Sequence, residues 1–219
     1  MRTTVYVDGF NLYYGELKGT PYKWLDPQEL FSKVLAATNQ ITAIKFFTAR
    51  VQPTPSDPDI NIRQDAYLQA LATCCPLIQV HFGHFLRHKV RMGNAHPPPA
   101  TLEVFKTEEK GSDVNLALHL LNDAWQDAYD CAVIVSNDSD LCEAMGLVKK
   151  HHPQKILGLI TPGSTKAGLK KRKTSRQLAA HADFQRPIRQ SALQTSQLPA
   201  AIPLPGPLAG TTISKPAAW

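Results

Sequence analysis

The chain has 219 residues, 43% of them hydrophobic, and a formal net charge of +6, which is room for one domain with a full core plus a tail. No stretch reaches the roughly 18–20 apolar residues of a membrane helix, and the start, "MRTTVYVDGF", turns polar at Asp8, too early for a secretory apolar region. A cytoplasmic protein with no membrane partner is therefore expected. The charge is uneven: of 24 Lys and Arg, eight lie from Lys170 onward against one acid, Asp183, which leaves 16 bases and 17 acids in a nearly neutral body. A basic end of this kind suits a polyanionic partner, and equally suits a plain solvated face.

In chain order, "TTVYVD" (3–8) predicts a short buried strand, and "LDPQELFSKVLAAT" a helix capped by Asp26 with Pro27 in its first turn. "ITAIKFFTARV" predicts a central strand, "DPDINIRQDAYLQALATC" a helix with Ile62, Ala66, Leu68 and Leu71 in register, and "LIQVHF" a third strand. Residues 83–111 then predict two strands joined by a loop, because the proline run at 97–99 forbids regular structure. Alternation resumes with a helix from about Ser112 to Ala128, the strand "CAVIV", the helix "DLCEAMGLVKKH" and the strand "KILGLIT". Strands alternating with helices predict an α/β fold with a mostly parallel sheet covered on both faces. The expected organisation is a domain over 1–165 with a hairpin-like insertion at about 82–106. A basic extension with one short helix follows at 166–192, then a Pro/Ala-rich tail at 193–219, extended or mobile. The four cysteines form no CxxC pair and predict reduced thiols, and Cys74 and Cys75 with the downstream histidines fit no structural zinc spacing.

Three segments concentrate acids where strands end or helices begin: Asp8 in "YVDGFNLYY", Asp113 in "EEKGSDVNLALHLL" and the pair Asp138 and Asp140 in "SNDSDL". In a parallel α/β sheet the loops after the strands gather at one edge, so these acids share a cleft if their strands are neighbours. Carboxylates gathered there raise one another's pKa unless a cation neutralises them, and a hard divalent ion with oxygen ligands does so. The competing reading is helix capping, with Asn137 as an N-cap and Asp140 three residues on, and Ser112 as the cap before Asp113.

"VDGFN" (7–11), "KGSDV" (110–114) and "SNDSDL" (136–141) resemble the signature segments of the NYN-domain family of the PIN-like nuclease superfamily, in the same order across about the first 160 residues. The resemblance implies a PIN-like three-layer sandwich and a magnesium- or manganese-dependent nuclease, a hydrolase acting on RNA. It also implies Asp8, Asp113, Asp138 and Asp140 as catalytic metal-binding acids, with Asn11 as their polar partner.

RNA recognition is expected from Lys110 beside Asp113, from Arg87, Lys89 and Arg91, and from Lys170, Lys171, Arg172 and Lys173. The i, i+2, i+4 spacing in the second group puts three cations on one face of a strand, which also fits an edge protected against aggregation. Phe10, Tyr13 and Tyr14 fit either core packing or stacking on a base. No P-loop, GxGxxG or Ser-His-Asp order is present, so no nucleotide cofactor is expected. The leading expectation is an endoribonuclease; the alternatives are a non-catalytic RNA-binding protein and, last, an aspartyl phosphatase, which expects an acid where Phe10 stands. Homo-oligomerisation stays open.

Overall fold

The computed structural model describes residues 1–163, 172–204 and 210–219. The first half of the chain forms β1 (Arg2–Asp8), α1 (Gly9–Leu12) running into a π-helical turn (Tyr13–Leu17), α2 (Pro27–Val34), β2 (Gln40–Thr48), α3 (Ile60–Cys74) and β3 (Ile78–Phe82). A hairpin of β4 (His84–Gly93) and β5 (Thr101–Lys110) leads into α4 (Ser112–Trp125). Then come β6 (Cys131–Val135), a 3-10 turn (Ser139–Leu141) entering α5 (Cys142–His151), and β7 (Ile156–Ile160). After them stand α6 (Arg176–His181), β8 (Phe184–Gln185), α7 (Gln190–Thr195), β9 (Ala201–Pro203) and β10 (Thr212–Ser214).

The main sheet has six strands in the order β3-β2-β1-β6-β7-β8, and every neighbouring pair is parallel. The chain lays β2 and β3 outward on one side of β1, then returns to place β6, β7 and β8 on the other. The strand order therefore reverses between β1 and β6, the place where ligand crevices form in open α/β sheets. The residues explain why these two strands are central. Val5, Tyr6 and Val7 of β1 and all of β6 are buried, the continuous apolar run of a strand covered on both faces. Alternate side chains serve opposite layers: Val5, Val7, Val133 and Val135 pack with Leu30 and Phe31 of α2. Tyr6, Ala132 and Ile134 pack with Leu116 and Leu120 of α4 and Met145 and Val148 of α5. The helix at 27–34 starts as its sequence predicts, with the Asp26 carboxylate accepting from Glu29 N at 2.9 Å and Pro27 in the first turn.

One buried polar knot fixes α4 to the sheet. Asp123 Oδ2 accepts from Tyr6 OH and from Lys45 Nζ, each at 2.6 Å. Removing one member of such a buried pair strands the other charge. Burial, together with Asp123, drives the Tyr6 hydroxyl far above its usual pKa.

The hairpin is antiparallel and forms its own two-stranded sheet. It runs to Lys110, beyond the expected insertion at 82–106. The tail at 193–219 requires a correction. Its described residues, 193–204 and 210–219, contain extended backbone, in the β9–β10 pair, and they are docked. Leu193, Leu198, Ile202 and Ile213 are buried, and Trp24 Nε1 donates to Pro199 O at 2.8 Å. Trp219 lies edge-on to Trp24 and Tyr67 at 6.1 and 5.6 Å. Proline and glycine remove regular hydrogen bonding from a segment without removing its Leu and Ile side chains; Leu198, Ile202 and Ile213 find a third core with Trp24 and α3, and Leu193 joins the α2 side of the sheet. Among the described residues no helix is long and apolar enough to cross a membrane.

Truncation of a buried leucine costs about 2–5 kcal/mol. Leu198→Ala is therefore expected to lower unfolding stability by an amount in that range in urea denaturation; a mobile tail would leave the midpoint unchanged.

Candidate active site

The register Val7↔Val135 between β1 and β6 delivers Asp8 and Ser136 to the same sheet edge. Asp8 is 4% exposed. It caps α1, with Oδ1 accepting from Asn11 N at 2.8 Å, while Oδ2 accepts from Ser136 Oγ at 2.8 Å. Ser136 Oγ in turn accepts from Asp138 N at 3.0 Å, so one hydroxyl links two of the acids. Gly9 permits this packing: a Cβ there would stand 2.8 Å from Phe47 O of β2.

Asp138, Asp113 and Asp8 line one cleft of about 460 Å³, together with Asn11, Phe10, Phe85, Glu109 and Arg172 among others. Asp138 is the cap of the 3-10 turn, its Oδ1 accepting from Asp140 N at 3.0 Å. The expected cap, Asn137, has a different task. Its Oδ1 accepts from Ser175 N at 2.8 Å and its Nδ2 donates to Lys173 O at 3.1 Å, tying the segment before α6 to the cleft. Ser112 is likewise not the cap of α4. That position is Gly111, at φ 94° in the left-handed region, and Ser112 N and Oγ donate to Glu109 at 3.0 and 2.8 Å.

The electrostatics register the crowding. Burial, then Asp8, Asp138, Glu109 and Asp140, push the Asp113 carboxyl up to about 7. Burial also raises Asp8, against the hydrogen bonds from Asn11 and Ser136 that favour its charged form. Asp140 stands back from the cleft wall and acts on Asp113 at a distance.

Among the described residues no three His, Cys, Asp or Glu side chains cluster closely enough to enclose an ion. The acids line the cleft; they do not form a cage. That donor set fits magnesium or manganese, because such an ion is held by one or two carboxylates and keeps water and substrate oxygens as its remaining ligands. Asp8, Asp138 and Asp113 are the cleft carboxylates from which those one or two ligands would come.

The expected basic residues divide into separate groups. Arg172 enters the cleft: its Nη1 donates to Asn11 Oδ1 at 3.1 Å and its N to Gly163 O at 3.0 Å. Lys173 follows it in sequence and is not among the residues lining the cleft, and Lys170 and Lys171 lie outside the described residues. Lys110 is not on the cleft wall; its Nζ lies 3.6 Å from Glu108 Oε2. Arg87, Lys89 and Arg91 share a hairpin face with Phe85, which leans edge-on against Phe10 at 5.6 Å. The basic row thus begins at the cleft wall and runs away along β4. Lys89 pairs with Glu103 at 3.1 Å, and the Arg87 guanidinium lies 4.5 Å from the Phe105 ring centre. Glu109, Ser136 and Phe85 were not singled out from the sequence. Glu109 carried a signal, since a carboxylate three residues before a serine at a helix start is placed to bond it; Ser136 and Phe85 are brought to the cleft by strand register alone.

Residues 2–183 match the NYN domain. The chain is 34% identical over 229 residues to the 6-hydroxy-3-succinoylpyridine 3-monooxygenase HspA of Pseudomonas putida, covering 93% of this chain and 72% of that protein. It also resembles the crystal structure of a Vibrio parahaemolyticus protein of unknown function. That likeness has a TM-score of 0.52 and 16% identity, covers 86% of this chain and 93% of the other, and bears on the fold alone. With its parallel sheet, its switch-point acids and this match across most of its length, the chain belongs to the NYN-domain family and carries that family's PIN-like, nuclease-type α/β fold.

Proposed function

We propose that the protein is a magnesium- or manganese-dependent ribonuclease that cuts RNA internally in the cleft of Asp8, Asp113 and Asp138. The observation that carries this reading is that those three carboxylates line one cleft at the switch point of the sheet. A divalent ion bound there supplies Lewis-acid charge beside the scissile phosphate. The chain's own groups do the rest. Asp8 is held rigidly from Asn11 N and Ser136 Oγ, so its orientation costs nothing when substrate arrives. Arg172, which also lines the cleft, offers guanidinium donors to a non-bridging phosphate oxygen. In the hydrolysis, a water oxygen forms the new bond to phosphorus, the bond to the leaving ribose oxygen breaks, and that oxygen takes up a proton.

A second reading is favoured by the similarity to a protein named as a pyridine monooxygenase. On that reading the cleft acts on a small hydroxypyridine, one oxygen atom of dioxygen entering the ring and the other leaving as water at the expense of a two-electron reductant. Oxygen uptake with 6-hydroxy-3-succinoylpyridine and reduced nicotinamide nucleotide tests it directly.

With labelled single-stranded RNA and DNA, cleavage of RNA is expected with manganese or magnesium and not with chelator. Asp8→Asn, Asp113→Asn and Asp138→Asn should each lower the rate about 100-fold or more. RNA that binds and stays whole under every metal condition would instead identify a non-catalytic RNA-binding protein.

Arg172→Gln is expected to raise KM and lower kcat; wild-type kinetics would remove Arg172 from phosphate binding.

In chelator, Asp113 has its folded pKa raised to about 7, above the unfolded value of about 3.9. The folded state holds this proton more tightly, so stability from this group is fully present below pH 4 and falls as pH rises toward 7. Asp113→Asn should flatten that slope in melting curves taken between pH 4 and 8, modestly, since the side chain is partly exposed.

A further inference from the structure

Beside the acidic cleft lies a second cavity, of about 290 Å³, walled by Phe10, Tyr13, Tyr14, Phe46, Tyr67 and Trp219. Phe10, Tyr14 and Val51 line both spaces, so the two share a wall. None of the acids of the cleft lines this cavity, and metal binding makes no use of it. Its size is at the small end of the range for small-molecule pockets, about 300–1,000 Å³. It holds one ring system with a short substituent and excludes a peptide or a run of nucleotides.

Its chemistry selects among such ligands. The aromatic walls offer π faces to a flat partner. The cavity's polar lining includes the Arg63 guanidinium, the Tyr13 hydroxyl and the Asp57 carboxylate. Arg63 meets Asp57 through Nη2, and among the described residues this is its guanidinium's one bonded nitrogen, so Nε and Nη1 keep protons for an acceptor. The Tyr13 hydroxyl has no protein partner among the described residues. Tyr67 is fully committed, donating its hydroxyl to Leu25 O at 2.9 Å, and so serves as rigid wall. A saturated ring with an acceptor can pair with the guanidinium but offers no π face to the aromatic walls; a flat ring carrying nitrogen or carbonyl acceptors at its edge matches both.

We propose that this cavity binds one planar nitrogen heterocycle, stacked between its aromatic walls with an edge acceptor on Arg63 and a substituent directed toward the acidic cleft. Such a ring comes from either of two sources: the base next to a phosphate in RNA, or a free hydroxypyridine. The inference goes beyond the nuclease reading, because the ring is held whether or not a phosphodiester is cut.

Trp219 on the cavity wall makes intrinsic fluorescence a direct reporter of occupancy. The full chain is titrated with adenosine and uridine 5′-monophosphates, with 6-hydroxynicotinate, and with cyclohexanecarboxylate as an aliphatic control. Saturable quenching is expected for at least one heterocycle and not for the cyclohexane acid. Tyr13→Ala should weaken binding about tenfold, as loss of one stacking partner does. Ile60→Trp, which enlarges a partly exposed side chain on the cavity wall, should abolish binding with the melting temperature unchanged. Tighter binding of the nucleotides assigns the cavity to an RNA base, and tighter binding of the hydroxypyridine assigns it to a free heterocycle. Asp138→Asn should stop RNA cleavage and keep ring binding, so a failed nuclease and an empty cavity give different results. No saturable binding of any heterocycle, equal binding of the cyclohexane acid, or wild-type binding by both cavity variants would overturn the proposal.

Discussion

Everything at the candidate site hangs on the parallel pairing of β1 with β6. The two strands lie 128 residues apart at the Asp8–Ser136 hydrogen bond, and their register sets which side chains meet beyond the strand ends. Because side chains alternate along a strand, a slip of one residue would send every core valine to the opposite layer. The interleaved cores on the two faces therefore hold the register, and the register holds Asp8 beside Ser136. The knot of Tyr6, Lys45 and Asp123 does the corresponding work for α4. It anchors the helix toward its far end from Asp113, so the first turn of α4 projects its carboxylate over the same edge.

That arrangement gathers negative charge and tolerates it by local means. The capping bond to Asp8, the turn at Asp138 and the Arg172 guanidinium each supply partial or full positive charge. They do not cancel the cost of burial, to which the neighbouring acids add, and Asp113 is pushed up to about 7. Capping and metal binding are therefore compatible accounts of the same residues. Asp8 and Asp138 are caps by geometry, and the caps fix their orientation as a ligand set needs.

The hairpin and the aromatic cavity extend the site in two directions. Phe10 is their junction: it touches Phe85 at the foot of the hairpin and lines both the cleft and the cavity. The row Arg87, Lys89 and Arg91 runs from the cleft along β4, while the aromatic cavity opens on the other side of Phe10. The docked tail closes the cavity with Trp219, which makes the C-terminal segment a wall of the proposed ring site.

The sequence by itself determined the α/β alternation, the parallel strands and the three acidic segments, because apolar runs, periodicity and capping residues are local signals. It also determined that Arg87, Lys89 and Arg91 share a face, since strand geometry imposes it. Tertiary structure alone decided the rest. Strand order brought Asp8 to Ser136 and Asp138, a relation that no local pattern encodes. Packing against Trp24 and α3 docked the described part of a proline-rich tail whose composition reads as mobile, because Leu198, Ile202 and Ile213 had an apolar surface to meet. Phe10 and Tyr13 were ambiguous between core and ligand wall, since helical spacing is the same for both, and the surrounding elements left a cavity at their faces. Arg172 read as one member of a basic run; a long-range contact with Asn11 put it in the acidic cleft, where opposite charge gives it a place.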